Sequence, residues 1–505
     1  MSGKKKKKIR DATLHPKQGG RLLQPLAAAT GVWGFGVLLG YTSSAGPQIM
    51  SSVEEGGLDM TTEQYSWFSS CFNLGAMGGS ILAALGMKRI GSRWTMIAAA
   101  PLFFAGILAI ALGWSYWVLM CGRTLAGVAV GVVTTASPPY IAEVASPHIR
   151  GALGTFVPLM IPSGVLIMYS MGWVLEWRWL AIVCVLPNLI HLLLLVFAST
   201  KLPSTLVSQG KLKEALVVLQ YLRGENHDVQ GEMEELEKLQ MAREKMRVME
   251  ALREPHVLKP LVLVVMLMTL LNASGIQAIQ LNIVTIFKVS GTGLSEDLSA
   301  TITGVVQVLG AVVMGALLDK MGRRRILLCG MPCIIVALAC LGLYFYLWGG
   351  EQGVPEGVVR WLPLASLLLY FISFNFSLGG VSWVMMGEFF SPEISEVATP
   401  IVSFFYWLSS FIFSYIFFPL RGLVGDAGMF WVFSAIQFVG WILIIILIPE
   451  TKGKTLHQIS AHFGKGNNNK HNNNNNTTTK EKVVGKSRGG SDVEAAASGK
   501  SQTYL

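Results

Sequence analysis

Asn272, Ser274, Gln277, Gln280 and Asn282 follow one another inside an otherwise apolar stretch covering residues 257–286. These side chains make no nucleophile–base pair, and none of them ionises near neutral pH. What they can do is donate and accept hydrogen bonds at once, which is what a neutral polyol needs and what a charged solute does not. An amide in hydrocarbon is costly unless it is paired or wet. Five polar residues on one stretch therefore imply a cavity or, as the alternative, a polar seam between helices. Gly275 lies among them and makes a helix easy to break.

Other reactive chemistry is sparse. No Asp or Glu stands in the middle of an apolar stretch, so no titratable carboxylate is placed to couple solute movement to protons. His191 is a lone imidazole among leucines; a packed, hydrogen-bonded ring is the expectation and a proton relay the alternative. The six cysteines all fall in apolar stretches and imply no disulfide framework. Cys329 and Cys333 share a helix face, but no histidine accompanies them, so no metal site is expected. Without paired carboxylates, an activated nucleophile or a phosphate loop, the sequence reads as a non-enzyme that needs no cofactor.

The elements that must position these groups are membrane spans. Of 505 residues, 52% are apolar and 14% charged, and the charge is crowded between long apolar runs. Each run is about 20 residues, matching the ~30 Å hydrocarbon thickness at ~1.5 Å rise per residue. Twelve are read: 26–46, 64–86, 94–113, 117–137, 151–172, 179–199, 257–286, 298–318, 326–348, 361–386, 398–419 and 428–448. The fold class expected is an all-α membrane protein of twelve transmembrane helices.

The net charge of +10 does not point to nucleic acid, because basic residues cluster at span ends and in the tails. Lysines at 4–8 precede the first span; Lys88, Arg89 and Arg93 follow the second; Arg150 follows the fourth; Lys320 and Arg323–Arg325 follow the eighth. The alternate loops carry Glu54, Glu55, Glu296 and Glu351. By the positive-inside rule both termini are cytoplasmic. The chain thus divides into a basic N-tail (1–25), a six-span half (26–199), a polar helical linker (200–256), a second six-span half (257–448) and a cytoplasmic C-tail (449–505). From about residue 464 that tail is Asn, Thr, Lys, Gly and Ser, a composition that stays disordered.

The halves echo each other. Glu143-Val-Ala-Ser-Pro-His-Ile-Arg150 after span four matches Glu388-Phe-Phe-Ser-Pro-Glu-Ile-Ser395 after span ten. Lys88-Arg-Ile-Gly-Ser-Arg93 after span two matches Asp319-Lys-Met-Gly-Arg-Arg324 after span eight. Two echoes in the same order argue for a duplicated six-helix unit, the build of carriers that rock two bundles about a central site.

With Gly122-Arg123, Pro138-Pro-Tyr-Ile-Ala-Glu143, Arg150-Gly151 and Pro449-Glu-Thr-Lys-Gly-Lys-Thr-Leu456, these motifs make the chain similar to the sugar porter branch of the major facilitator superfamily, the insect facilitated trehalose and glucose carriers above all. The resemblance runs from about residue 27 to 460. It implies two pseudo-symmetric six-helix bundles with a solute site at their interface, where Gln307, Asn375 and Trp383 match family positions and would join the span-seven amides Asn272, Gln277, Gln280 and Asn282. It also implies a cytoplasmic charge latch drawn from Arg89, Arg93, Glu143, Arg150, Asp319, Arg323, Arg324 and Glu388, whose carboxylates and guanidiniums can pair bidentately.

The chain departs from the family at Lys88, Ser92, Pro158, Asn282, Ser395, Tyr406 and Ser410, and Thr42 stands where family symporters carry an aspartate. The expectation is an uncoupled carrier of a sugar or related polar solute, acting as a monomer in the plasma membrane. A transport-poor solute sensor and a carrier of a non-sugar solute are the alternatives.

Overall fold

The computed structural model describes residues 19–144, 156–224, 228–245, 248–290, 294–349, 357–390 and 392–452. Arg150, the polybasic run at 4–8 and the tail beyond 452 lie outside them.

The described chain is helical and crosses a membrane-thick slab twelve times. Ten helices are long and apolar enough to span: Leu23–Met50, Thr62–Leu112, Tyr116–Val144, Trp177–Phe197, Pro255–Leu281, Glu296–Met321, Arg323–Trp348, Gly357–Phe389, Ile394–Tyr415 and Phe417–Leu447. Thr62–Leu112 is two spans joined at a bend at Gly91, and the shorter Phe156–Gly172 is span five. Large apolar side chains such as Leu108, Leu193, Val312 and Phe438 face outward, as lipid requires. Trp114, Trp117, Trp173 and Trp179 lie exposed at one end of the slab, where amphipathic indoles mark a membrane interface. That end is called the loop side here; the opposite end carries the linker helices and is the linker side.

Duplication is visible in the backbone. Gly91 (φ 81°, ψ 161°) and Gly322 (φ 91°, ψ 155°) hold the same left-handed-φ conformation at matching places in the two halves. The arginine two residues later does the same work in both. Arg93 donates to the Leu195 and Val196 carbonyls at the end of span six, and Arg324 donates to the Ile445 carbonyl in span twelve.

Small residues let spans two and four touch backbone to backbone. A Cβ at Gly75 would sit 2.1 Å from the Thr124 carbonyl oxygen, and one at Gly127 would sit 2.1 Å from that of Phe72. Gly79 and Gly131 repeat the contact one turn on. Gly127→Ala is therefore expected to lower the melting temperature in detergent by several degrees, because backbone must move. Gly78→Ala, whose new methyl meets nothing within 4 Å, is expected to melt like the parent.

Spans seven and ten are broken. Span seven runs Pro255–Asn272, turns at Gly275 (φ 80°), and resumes as Ile276–Leu281 and Ile283–Ser290. The freed Ser274 carbonyl accepts from the Tyr370 hydroxyl, and Gln437 adds a bond to the Leu270 carbonyl just before the turn. Span ten breaks at Ser377, between Leu362–Phe376 and Leu378–Phe389. Between the halves, helices Pro203–Ser208, Leu212–Arg223 and Gln230–Lys245 share a small core of Leu206, Ala215, Leu219 and Met233.

Candidate solute-binding site

The two broken spans bring their polar groups together between the bundles. A central cavity of about 40 Å³ is lined by Gln277 and Gln280 from span seven, Gln307 from span eight, Asn375 and Trp383 from span ten, and Tyr406 from span eleven. Phe35, Leu39, Pro158 and Ile161 close it from the other bundle. A drug-sized guest needs roughly 300 Å³ or more, so the bundles are shut around this space, which has room for about one water molecule.

Within it the amides are unevenly satisfied. Gln280 Nε2 donates to Gln307 Oε1 at 2.6 Å. Gln277 Nε2 reaches the Tyr406 hydroxyl at 3.4 Å, a long bond. Gln277 Oε1 and Gln307 Nε2, one acceptor and one donor, are buried with no protein partner. Trp383 packs edge-on against Tyr406, with ring centres 5.1 Å apart. Asn375 spends its amide on the Phe371 carbonyl of its own helix.

Two residues expected at the site lie elsewhere. Asn272 Nδ2 donates to the Tyr406 carbonyl and the Ser409 hydroxyl, both at 2.9 Å, and so ties span seven to span eleven. Asn282 donates back to Ala278 and lines a separate small cavity on the loop side with Arg421 and Phe418. Conversely, Phe35, Leu39 and Ile161 gave no signal in the sequence, because an apolar residue in an apolar span is indistinguishable from core, whereas Pro158 stood out as a departure from the family.

The bundles are joined on the loop side. Asn73 in span two donates to Ser414 Oγ at 3.0 Å and accepts from Ser410 Oγ at 2.9 Å. The Tyr65 hydroxyl reaches the Leu281 carbonyl at 3.4 Å, and the Tyr169 hydroxyl donates to the Gln280 carbonyl at 3.0 Å. The Trp67 ring lies tilted against Tyr415 with centres 4.8 Å apart, and Phe35 meets Trp407 at 4.9 Å. Ser410, a position at which the chain departs from the family, is thus a partner in this seal.

On the linker side the charged residues work mainly within a bundle. Arg323 pairs with Glu388 through Nε and Nη2 at 3.0 and 2.5 Å, and with Asp319 at 3.2 Å, which binds spans eight, nine and ten together. Thr451 donates to Glu388 at 3.0 Å, and Glu450 accepts from the Arg323 backbone N–H at 3.0 Å, so the Pro-Glu-Thr segment after span twelve joins the same cluster. In the first half Ser92 occupies the place of Arg323. There Glu143 accepts from the Ser204 backbone N–H at 2.8 Å and its hydroxyl at 2.6 Å, holding the first linker helix. Arg93 donates to Ser199 Oγ at 2.8 Å, while Arg89 is exposed. Among the described residues the ion pairs of Arg323 with Glu388 and Asp319 therefore brace the second bundle, where a latch across the halves was expected. The geometric reason is that Arg323 and Glu388 stand at the ends of adjacent spans of one bundle.

One buried charge stands apart from these clusters. Arg123 in span four is fully enclosed; it donates to the Leu38 carbonyl at 3.2 Å and to Thr42 Oγ1, and lies over the rings of Phe72 (4.9 Å) and Phe68 (5.2 Å). Hydroxyl, carbonyl and ring faces surround it where a carboxylate could have stood, and its Nε, buried, has no hydrogen-bond partner. His191 is likewise a packed ring, its Nδ1 2.8 Å from the Ala27 carbonyl oxygen.

Comparison with known proteins agrees with this architecture. Residues 25–463 match the family model described as "Sugar (and other) transporter". Solute carrier family 2, facilitated glucose transporter member 8, from Bos taurus is 33% identical over 458 residues, covering 87% of this chain and 94% of that protein. The facilitated trehalose transporter Tret1 of Apis mellifera ligustica is 31% identical over 450 residues, covering 88% and 89%. Among solved structures, the partially occluded inward open conformation of the xylose transporter XylE from E. coli superposes with a TM-score of 0.71 at 23% identity, covering 87% of this chain and 100% of that one; this likeness concerns the fold. Two pseudo-symmetric six-helix bundles with a polar cavity between them, motifs at matching span ends and relatives of this extent lead to one assignment: the chain is a multi-pass membrane protein belonging to the sugar (and other) transporter family.

Proposed function

We propose that the chain moves a neutral sugar across the membrane by uncoupled alternating access, as a single copy in the plasma membrane with the linker side cytoplasmic. The observation that carries this reading is the composition of the central cavity: three glutamines, one asparagine, an indole and a phenol, with no carboxylate or cation among its lining residues. Such a surface offers hydrogen bonds and ring faces, the pattern that suits a polyol and suits an ionised solute poorly. The Gln277 carbonyl and the Gln307 amide N–H have no protein partner, so a guest hydroxyl could serve both as donor and acceptor. Relatives named for facilitated glucose and trehalose transport support the same class of solute.

Lack of coupling follows from Arg123 meeting Thr42, which cannot titrate. The loop-side seal through Asn73, Tyr65 and Tyr169 supplies one closed gate; exchange needs that seal to break so that the shut cavity opens on the loop side. One chain lines the whole cavity, so a single copy suffices.

The test is uptake by purified protein in liposomes with no ion gradient. Labelled glucose and trehalose are expected to equilibrate saturably and to be competed by other sugars but not by amino acids. Absence of flux, or flux that sugars fail to compete, would overturn the reading.

A further inference from the structure

A second cavity has more room than the central one. It lies on the linker side, between the bend at Gly91 and the linker helix Pro203–Ser208, and has about 430 Å³ of room. Arg89, Arg93 and Lys201 line it, with Trp94, Thr205 and Gln209, and no carboxylate is among its lining residues. Arg93 is fixed as a backboard by Ser199 Oγ at 2.8 Å and the Leu195 carbonyl at 3.1 Å, and its guanidinium lies 5.1 Å from the centre of the Trp94 ring. Arg89 and Lys201 are exposed and have no hydrogen-bond or ion-pair partner among the described residues. Three cations facing one hollow without a counter-charge create a positive potential that an anion relieves.

Position narrows the anion. The cavity opens where spans two and three meet the membrane surface, and Trp94 is 46% exposed there, as an indole is at headgroup level. Ile97 and Ala98, one turn deeper on span three, continue its wall as apolar surface. A phosphate above and an acyl chain below match that gradient from charged to apolar. The back of the cavity is tightly built: a Cβ on Gly91 would meet Thr205 at 2.7 Å, so linker helix and span bend are already in contact and the hollow is preformed.

We propose that this cavity binds the headgroup of an anionic phospholipid from the leaflet on the linker side, held by Arg89, Arg93 and Lys201. The inference does not depend on which solute crosses.

The test is binding of short-chain phosphatidylserine to the full-length protein in neutral detergent, read as a saturable rise in melting temperature, beside short-chain phosphatidylcholine and inorganic phosphate. The parent is expected to respond to phosphatidylserine and hardly to the other two. The double variant Arg89→Gln, Lys201→Gln removes two exposed charges that brace nothing, and should need at least about tenfold more phosphatidylserine. Lys213→Gln with Lys238→Gln, an equal loss of charge on linker helices outside the cavity, should respond like the parent. Equal response of the Arg89/Lys201 variant and the parent would overturn the proposal, as would equal loss in the control pair. A response to inorganic phosphate matching that to the lipid would overturn the lipid assignment.

Discussion

Gln277→Ala is expected to weaken sugar uptake about three- to tenfold at sub-saturating concentration while leaving the melting temperature near the parent value. The argument rests on what this side chain does in the closed protein. Its amide N–H makes only a 3.4 Å bond to Tyr406, and its buried carbonyl oxygen has no protein partner. An unpaired buried acceptor costs about 1–3 kcal/mol, so removing it takes little stability away. A guest hydroxyl that donates to that oxygen makes a bond worth roughly 0.5–1.5 kcal/mol net, which sets the size of the loss.

Asn272→Ala, only five residues earlier, should behave in the opposite way. Its amide holds span seven to span eleven through the Tyr406 carbonyl and Ser409, so the variant is expected to melt several degrees lower. The comparison needs uptake curves and thermal melts of both variants. If Gln277→Ala transports like the parent, or if Asn272→Ala loses affinity with its melting temperature intact, the solute site has been placed on the wrong turn of span seven.

That contrast also shows where sequence reading stops. The twelve spans were legible because hydrocarbon admits few alternatives to an apolar helix about 20 residues long. The duplication was legible because Gly91 and Gly322 must both adopt positive φ, a demand that few residues other than glycine meet. The polar character of span seven was legible too, since amides stand out in an apolar run.

What could not be read was direction. Asn272, Gln277, Gln280 and Asn282 do not share one helix face, because the chain breaks at Gly275 and again at Asn282, and each break turns the following residues. Asn272 consequently points at span eleven and Asn282 at the loop-side cavity, while the two glutamines between them meet Gln307 and Tyr406. The partners of the linker-side charges were equally hidden. Arg323 could in principle have paired with Glu143 across the bundles; the adjacency of spans nine and ten decides that it pairs with Glu388 within one.

Thr42→Asp is expected to make transport depend on pH. In the parent, the enclosed Arg123 guanidinium rests on a hydroxyl, a carbonyl and two phenyl rings, and none of these exchanges a proton between about pH 5.5 and 7.5. Parent flux should therefore be nearly flat over that range. An aspartate at this position places a carboxylate where Thr42 Oγ1 now accepts from Arg123, forming a buried ion pair. Such a pair is strong while both partners are charged, and breaking it without neutralising the acid would leave an unpaired charge in a dry site.

Span one, which carries residue 42, also contributes to the loop-side seal: the Thr42 carbonyl accepts from Tyr65 at 3.0 Å, and Ser43 Oγ accepts from the Val284 backbone N–H of span seven at 3.3 Å. If opening that seal strains the pair between Arg123 and the introduced carboxylate, protonation of the acid lowers the barrier. Uptake by the variant should then rise several-fold as the pH outside the liposomes is lowered from about 7.5 to 5.5, with the parent changing less than about twofold. Thr42→Asn, close in size to the aspartate but unable to titrate, should stay flat. A pH-independent Thr42→Asp carrier with parent-like flux would show that the Arg123 cluster does not move during exchange, and the lack of coupling would then need a cause other than the hydroxyl at residue 42.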